Sequence, residues 1–276
     1  MPANPRSRFH EGSREPVRSK AMNTRRWGLH LDLASGAAGD MLLAGLLDSG
    51  VPREPVDEAL SALGFPPRSF ELERVVRGGI RSAYLKISDQ AESAGLGCRT
   101  YEAGRKLIDD AQLPSGVRDR ALEVFLALAE AEASVHGASV EEIHFHEVGA
   151  TDTLIDIVGV SAAVEWLAPT HVSASHVAVG GGVVDTQHGR LPVPAPATLE
   201  LLRGVPIAEG KAPQRELLTP TGAALVSKLV DEFGAFPPMR VEAIGYGAGT
   251  LELGDRPNVL RVTWGALENR GQGGGR

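Results

Sequence analysis

Residues 28–47 read GLHLDLASGAAGDMLLAGLL. The first six residues form a short apolar run that ends at a glycine-bearing turn, and from residue 39 onward apolar residues recur at helical spacing. The stretch therefore predicts a strand, a tight loop and a helix. Backbone N–H groups at such a helix start can bind an anion, and glycines let a ligand approach the backbone closely.

Helix and strand patterns continue along the rest of the chain. Helices are predicted at 54–63, 100–111, 116–136, 151–167, near 197 and near 220, and strands at 69–76, 81–89, 171–179, 239–247 and 258–264. Three spaced prolines in 188–197, HGRLPVPAPA, exclude a regular helix or a central strand and predict a rigid extended connector. We therefore predict a mixed α/β (α+β) fold, in which helices pack on a mixed sheet.

The chain divides into three parts by composition. Residues 1–26 have no apolar core between their charges, so we expect a disordered tail rather than a secretory signal. Residues 27–266 form the predicted ordered domain, and a division into two subdomains, 27–140 and 141–266, stays open. Residues 267–276 are Gly-rich and are expected to form a flexible tail.

Composition and net charge argue against several classes of function for this chain. A net charge of -7 argues against a general nucleic-acid binder, which needs clustered Lys and Arg. No stretch approaches the roughly 18 to 20 consecutive apolar residues of a membrane span. A single cysteine excludes an internal disulfide and a thiolate cluster, which fits a reducing, cytoplasmic location. Any metal site must therefore use His, Asp and Glu.

The loop after the first strand is one candidate site. Asp32 lies at the end of the strand and Asp40 in the first turn of the helix, so both carboxylates can serve a divalent cation in a catalytic role. The loop residues predicted to bind the anionic cofactor are Ser35, Gly36 and Gly39. The alternative is that Asp32 caps a turn and Asp40 complements the helix dipole.

A histidine-containing segment, IHFHE at 143–147, is the stronger candidate for a metal site. In an extended segment residues two apart share a face, so His144 and His146 are predicted to point together while Phe145 turns into the core. Glu147 follows and adds an oxygen ligand. Imidazole suits Ni, Zn, Cu and Fe better than Mg or Ca.

Two carboxylates in the next helix extend this metal site. Asp152 and Asp156 are four residues apart and share one helix face, within an otherwise apolar stretch. We include both among the predicted metal ligands. The alternative is a set of helix caps around Gly149, with the Asp side chains on a solvated stripe.

Several other polar residues could also be metal ligands, acid–base groups or anion-binding residues. His188 precedes the proline-stiffened stretch and is predicted to be a third ligand or an acid–base group, whereas His171 and His176 are expected to be packed or exposed. Thr219 and Thr221 begin a helix and form another candidate anion site, although an ordinary cap explains them equally well. We reject GYGAGT as a dinucleotide fingerprint, because no helix follows it and no βαβ unit surrounds it.

Five ordered motifs carry a resemblance to a known family. They are LDLASGAAGDM, IHFHEVGATDTLIDIVG, HGRLPVPAPAT, ELLTPTGAAL, and GYGAGT with PNVLRV. In order and spacing they resemble the nickel insertion proteins of the lactate racemase cofactor, from about Gly28 to Trp264. The resemblance implies transfer of Ni²⁺ into pyridinium bisthiocarboxylic acid mononucleotide, giving the nickel-pincer cofactor, by a CTP-dependent nickel chelatase of the lyase class, a cyclometallase.

The resemblance also concerns partners. Family members usually carry a further C-terminal domain to which CTP binding is attributed, so we expect that half, with Mg²⁺ or Mn²⁺ and CTP, on a separate chain. A homo-oligomer stays open. The mechanism we expect places Ni²⁺ on His144, His146, Glu147 and a second carboxylate, from which thiocarboxylate sulfur takes it. The mononucleotide phosphate would bind at Ser35 to Gly39.

Two other functions compete with nickel insertion. One is a non-catalytic, nickel-binding metallochaperone half that gains activity only with its partner. The other is a metal-dependent phosphohydrolase, in which Asp32, Asp40 and the histidines activate water.

Overall fold

A seven-stranded mixed sheet organises the computed structural model, which describes residues 26–96, 98–145, 151–209 and 213–268. The strands are β1 (Trp27–Asp32), β2 (Phe70–Arg77), β3 (Ile80–Ile87), β4 (His171–Ala174), β5 (Val183–Thr186), β6 (Gly189–Pro192), β7 (Glu232–Phe233), β8 (Met239–Ala248) and β9 (Val259–Leu267). The helices are α1 (Gly39–Asp48), α2 (Glu54–Ala62), α3 (Asp89–Ser93), α4 (Tyr101–Asp110), α5 (Ser115–His136), α6 (Thr151–Leu167), α7 (Pro196–Leu201) and α8 (Pro220–Leu229), with a 3₁₀ helix at Val140–Glu142. The predicted mixed α/β fold is therefore confirmed.

The sheet takes its strands from both ends of the chain. Its order is β2-β3-β8-β9-β1-β4-β7, and β5 and β6 form a separate two-stranded hairpin. β1 pairs in parallel with β4 and antiparallel with β9, so the first strand lies inside the sheet between later ones. Leu29 and Leu31 of β1 and the following Leu33 are buried in the same hydrophobic core as the leucines of α1. This burial fixes the loop that joins β1 to α1.

Helix α1 lies unusually close to the sheet. It packs on β8, where a Cβ atom at Gly247 would overlap the carbonyl oxygen of Met41. The GYGAGT motif is thus explained by close helix–strand packing. No helix follows it among the described residues that lead into β9, which agrees with the rejection of a dinucleotide site.

Helix α6 is the centre of the helical layer. It packs against α1, α2 and α5, so its apolar residues are buried on every side rather than on one stripe. This environment explains the continuous apolar sequence from residue 153 onward. None of the helices in the described ranges is long and apolar enough to cross a bilayer.

Most predicted elements are confirmed, with three differences. β4 ends at Ala174 rather than 179, because the next residues bond to the loop after β1 and to Pro206 instead of extending the ladder. The proline-rich stretch contributes β6 to the small hairpin, where an edge position tolerates the missing donors. The short elements α3, β5 and β7 were not predicted, since five, four and two residues carry no readable period.

Candidate functional site

Three helix starts meet around one cavity of about 830 Å³, which we call the central cavity. The first turns of α1, α6 and α8 all border it. Its polar lining comprises Asp40, Tyr84, Lys86, Asp89, Glu92, Thr151, Asp152, Thr153, Asp156, Glu216, Thr219, Thr221, Thr250 and Asn258. Because a helix start presents backbone N–H groups and positive potential, three of them together favour an anionic ligand.

Backbone hydrogen bonds hold the starts of α1 and α8 side by side. The N–H of Ala37 donates to the carbonyl oxygen of Leu217 at 3.0 Å, and the N–H of Thr219 donates back to Ala37 at 3.1 Å. The Thr219 hydroxyl accepts from the N–H of Gly222 at 3.1 Å, which caps α8. The cap is confirmed, and it also places Thr219 and Thr221 at the cavity.

Asp156 ties the start of α6 to the start of α1. A Cβ atom at Gly39 would collide with the Asp156 carboxylate, so a glycine is needed at this contact. The N-cap of α1 is Ala38, which has no capping side chain, and the backbone N–H of Asp40 instead donates to Asp156. Asp156 is 7% exposed, and its Oδ1 has no hydrogen-bond partner in the described structure. A buried acceptor of this kind points to a missing donor or cation.

Burial and neighbouring negative charge raise the pKa of two carboxyl groups in the central cavity, Asp40 and Asp156. Burial raises the pKa of Asp40 to about 6, the N–H of Met41 opposes this, and the charge of Asp152 adds to it. Burial, then the charges of Asp40 and Asp152, raise the pKa of Asp156 well above its ordinary value. A bound cation would relieve both the desolvation and the repulsion, which makes the cluster a candidate cation site.

The histidine segment is described only in part. The predicted ligands His146 and Glu147 lie outside the described residues. His144 is exposed and pairs with Thr100 in an isolated bridge, while Phe145 is buried with its ring 5.3 Å from that of Phe125. The extended conformation and the inward turn of Phe145 are therefore confirmed. Within the described ranges no three His, Cys, Asp or Glu side chains are arranged to hold a metal ion.

Asp32 lies apart from Asp40. It borders a smaller cavity of about 340 Å³, together with His176 and Arg256. Its Oδ1 accepts from the N–H of Ala34 at 3.2 Å, and its Oδ2 pairs with Arg261 at 2.5 Å. These contacts correspond to the turn-capping interpretation, and a role for Asp32 in catalysis stays a prediction.

The loop residues predicted to bind the cofactor divide into two groups. The Ser35 hydroxyl donates to the carbonyl oxygen of Pro257 at 2.8 Å, and Gly36 has a φ of +84° with its open side filled by the backbone of Leu217. Both residues thus stabilise the loop. Gly39 lines the central cavity, where its role as a ligand contact stays a prediction.

The remaining histidines occupy separate places. His188 lies in the turn between β5 and β6, and its ring centroid is 5.0 Å from that of His136. His171 lies 3.5 Å from both Asp231 and Glu232, and His176 is exposed, as expected for structural residues.

Two cavity residues escaped sequence reasoning. Lys86 is exposed on β3 and brings a cation to the lining, opposite Glu71 on β2. Thr151 begins α6. Lys86 belongs to no motif, and Thr151 lies within IHFHEVGATDTLIDIVG without being singled out, because only the tertiary arrangement brings the end of β3 to the helix starts.

Comparison with known proteins identifies the family. The family model described as nickel insertion protein matches residues 29–274. Relatives from Geobacter metallireducens and Myxococcus xanthus, both named "Putative nickel insertion protein", are 46% and 45% identical over 87% of this chain and 61% of their own. A Nocardioides relative named "Pyridinium-3,5-bisthiocarboxylic acid mononucleotide nickel insertion protein" is 44% identical over 88% of this chain and 61% of its own.

The comparisons also show how much of each relative this chain covers. The chain spans 61% of the length of these curated relatives. No solved structure matches it. From the family model and the relatives together, the chain belongs to the nickel insertion protein family.

Proposed function

We propose that this chain takes up Ni²⁺ and presents it for insertion into pyridinium-3,5-bisthiocarboxylic acid mononucleotide, with the central cavity as the place where the two meet. The observation that carries the proposal is the convergence of three helix starts on a carboxylate cluster with an unpartnered buried oxygen. The backbone N–H groups of the helix starts suit an anion, and the carboxylates in the same lining suit a cation. The Nocardioides relative's name supplies the substrate.

The helix starts are suited to the mononucleotide's phosphate. Thr219 and Thr221 stand at the start of α8, and Lys86 adds a positive charge to the same cavity lining. Backbone N–H groups and the helix dipoles attract a phosphate there. A volume of about 830 Å³ lies within the range of small-molecule sites, about 300 to 1,000 Å³.

The carboxylates are suited to hold nickel only briefly. Asp40, Asp152 and Asp156 offer hard oxygen donors, but in the described structure they are not arranged as a three-ligand metal site, so we propose that they bind Ni²⁺ weakly. Such oxygens bind Ni²⁺ less strongly than the softer thiocarboxylate sulfurs do. Transfer from oxygen to sulfur is therefore favourable. His144, His146 and Glu147 remain the proposed residues that acquire the ion before it reaches this position.

The full reaction is proposed to need a second polypeptide. The chain spans 61% of its relatives, which leaves room for the CTP-binding half expected from the resemblance. We propose that this half, with CTP and Mg²⁺ or Mn²⁺, completes a lyase-class nickel chelatase. The same coverage favours a second candidate, a nickel-binding half that has no turnover alone.

The experiment compares carboxylate variants in binding and in insertion. Tag-free chain is dialysed against Ni²⁺, then supplied with the mononucleotide, the complementary half and CTP, and nickel in the small-molecule fraction is quantified by mass spectrometry. We expect Asp152→Asn with Asp156→Asn to abolish insertion, because the oxygens that hold the ion become neutral amides. Asp110→Asn on the exposed end of α4 is the matched control. Insertion at the unaltered rate in the double variant would exclude the central cavity as the site.

A further inference from the structure

Two histidines from distant parts of the chain lie beside each other outside the central cavity. His136 ends α5 and His188 lies in the turn of the β5–β6 hairpin, and their ring centroids are 5.0 Å apart. Neither lines the central cavity. Two imidazoles at this separation can reach one ion with small rotations about their side-chain bonds.

Both histidines stand on well-supported backbone. α5 is 22 residues long and ends in a left-handed cap at Gly137. In the hairpin turn, the Thr186 hydroxyl accepts from the N–H of His188 at 3.1 Å and donates to the carbonyl oxygen of Gly189 at 2.9 Å. A short turn bonded in this way presents its histidine in a defined direction, which lowers the entropy lost when a ligand binds.

A carboxylate orients one of the two rings. Nε2 of His136 lies 3.5 Å from Oε2 of Glu132, one helical turn earlier on α5. When the Nε2–H donates to this carboxylate, Nδ1 is the nitrogen of the ring that would bind a metal. Carboxylate partners of this kind are typical neighbours of metal-binding histidines.

We propose that His136 and His188, which we call the histidine pair, bind Ni²⁺ at the protein surface, with water completing the coordination and Glu132 acting as a positioning residue. Imidazole nitrogen is a ligand that Ni²⁺ prefers and Mg²⁺ does not. The inference rests on the proposed function only for the choice of nickel. The histidine pair is then a surface docking point for the ion in addition to the segment with His144, His146 and Glu147. It is separate from the carboxylates that release the ion.

Nickel-induced broadening of histidine signals tests the histidine pair directly. The full chain, free of any tag and labelled with ¹⁵N-histidine, is titrated with Ni²⁺, and the ring signals of its eight histidines are assigned through single His→Gln variants. We expect the His136 and His188 signals to broaden in the first part of the titration. The double variant His136→Gln with His188→Gln should lose this binding event in equilibrium dialysis, and Glu132→Gln should weaken it on the order of 10- to 100-fold. His176→Gln, an exposed histidine elsewhere, is the matched control.

The outcomes separate this inference from the proposed function. Sharp His136 and His188 signals with one equivalent of nickel bound would overturn the histidine pair, even if insertion proceeds. Broadened signals together with a failure to load the mononucleotide would retain the pair and remove the insertion proposal. Circular dichroism of the double variant verifies that the hairpin and α5 remain folded, and a folded double variant that binds nickel like the parent chain also overturns the inference.

Discussion

The central cavity and the histidine pair are two cation-attracting regions with opposite physical designs. In the cavity, Asp156 is only 7% exposed and lies near the half-buried Asp40 and the exposed Asp152. At the surface, two imidazoles and an acidic neighbour stand in or near solvent. Burying a carboxylate charge costs free energy, and a bound cation offsets part of that cost. An exposed neutral ligand stays hydrated, so it carries little desolvation cost.

The contrast teaches where selectivity and release come from. Exposed imidazoles can favour nickel over magnesium through ligand type, and they need no change in fold to do so. Buried carboxylates accept any hard cation, but their repulsion when empty means that occupancy and protonation are tightly linked. A chain with both can acquire an ion at one place and release it at another.

The largest expected effect comes from the contact between α1 and α6. Gly39→Ala places a methyl group against the Asp156 carboxylate, so we expect a loss of about 1 to 3 kcal/mol in the free energy of unfolding, and loss of nickel insertion. Urea denaturation measures the first and mass spectrometry the second. Gly234→Ala, where the new methyl group meets open space, is the matched control. Equal stability of the two variants would refute the proposed role of this contact.

Removing the buried charge of Asp156 should stabilise the fold, whereas Gly39→Ala should destabilise it. The folded-state pKa of Asp156 is raised, so its contribution favours folding fully below the unfolded pKa and is lost as pH rises through the folded value. We therefore expect Asp156→Asn to stabilise the nickel-free chain at pH 8 by about 1 to 2 kcal/mol, with the gain vanishing near pH 4. Thermal melts at the two pH values measure this, with Asp110→Asn as the control. A gain independent of pH would contradict the electrostatic explanation.

The fold was largely predictable because its elements carry local signals. The leucine run of β1, the glycines of the β2–β3 turn and Pro220 after its Thr219 cap each specify structure within a few residues. Strand order was not predictable. That β9 lies between β8 and β1 depends on contacts more than 200 residues apart, for which the sequence has no local pattern.

The site was predicted in its parts but not in its assembly. Asp40, Asp152 and Asp156 were each identified, yet as members of two separate sites, since sequence spacing says nothing about α1 and α6 meeting at Gly39. His136 went unremarked because a single histidine at a helix end resembles an ordinary dipole partner. Its neighbour His188 is 52 residues away and becomes visible only in the folded chain.

Lowering the pH should weaken nickel binding in the central cavity, and this can be measured once the histidine pair has been removed. Because the pKa of Asp40 is raised to about 6, nickel must displace a proton below that pH. The measurement uses a chain in which His136, His188, His144 and His146 are all changed to Gln, because histidine protonation would give the same trend. In this background we expect nickel affinity in equilibrium dialysis to fall at least about 10-fold between pH 7 and pH 5. Adding Asp40→Asn should flatten this dependence. An unchanged slope after that addition would show that Asp40 does not take part.

The smallest expected effect concerns the anion end of the central cavity. Lys86 is exposed, so its attraction for a phosphate is screened by solvent and should resemble a surface ion pair of about 0.2 to 1 kcal/mol. We expect Lys86→Met to weaken binding of the mononucleotide about 2- to 5-fold in calorimetry, with the loss shrinking as salt rises. Lys106→Met on α4 should leave binding unchanged. Because the helix starts supply fixed dipoles that no side-chain change removes, most of the affinity should survive, and a much larger loss would mean that Lys86 rather than α6 and α8 holds the phosphate.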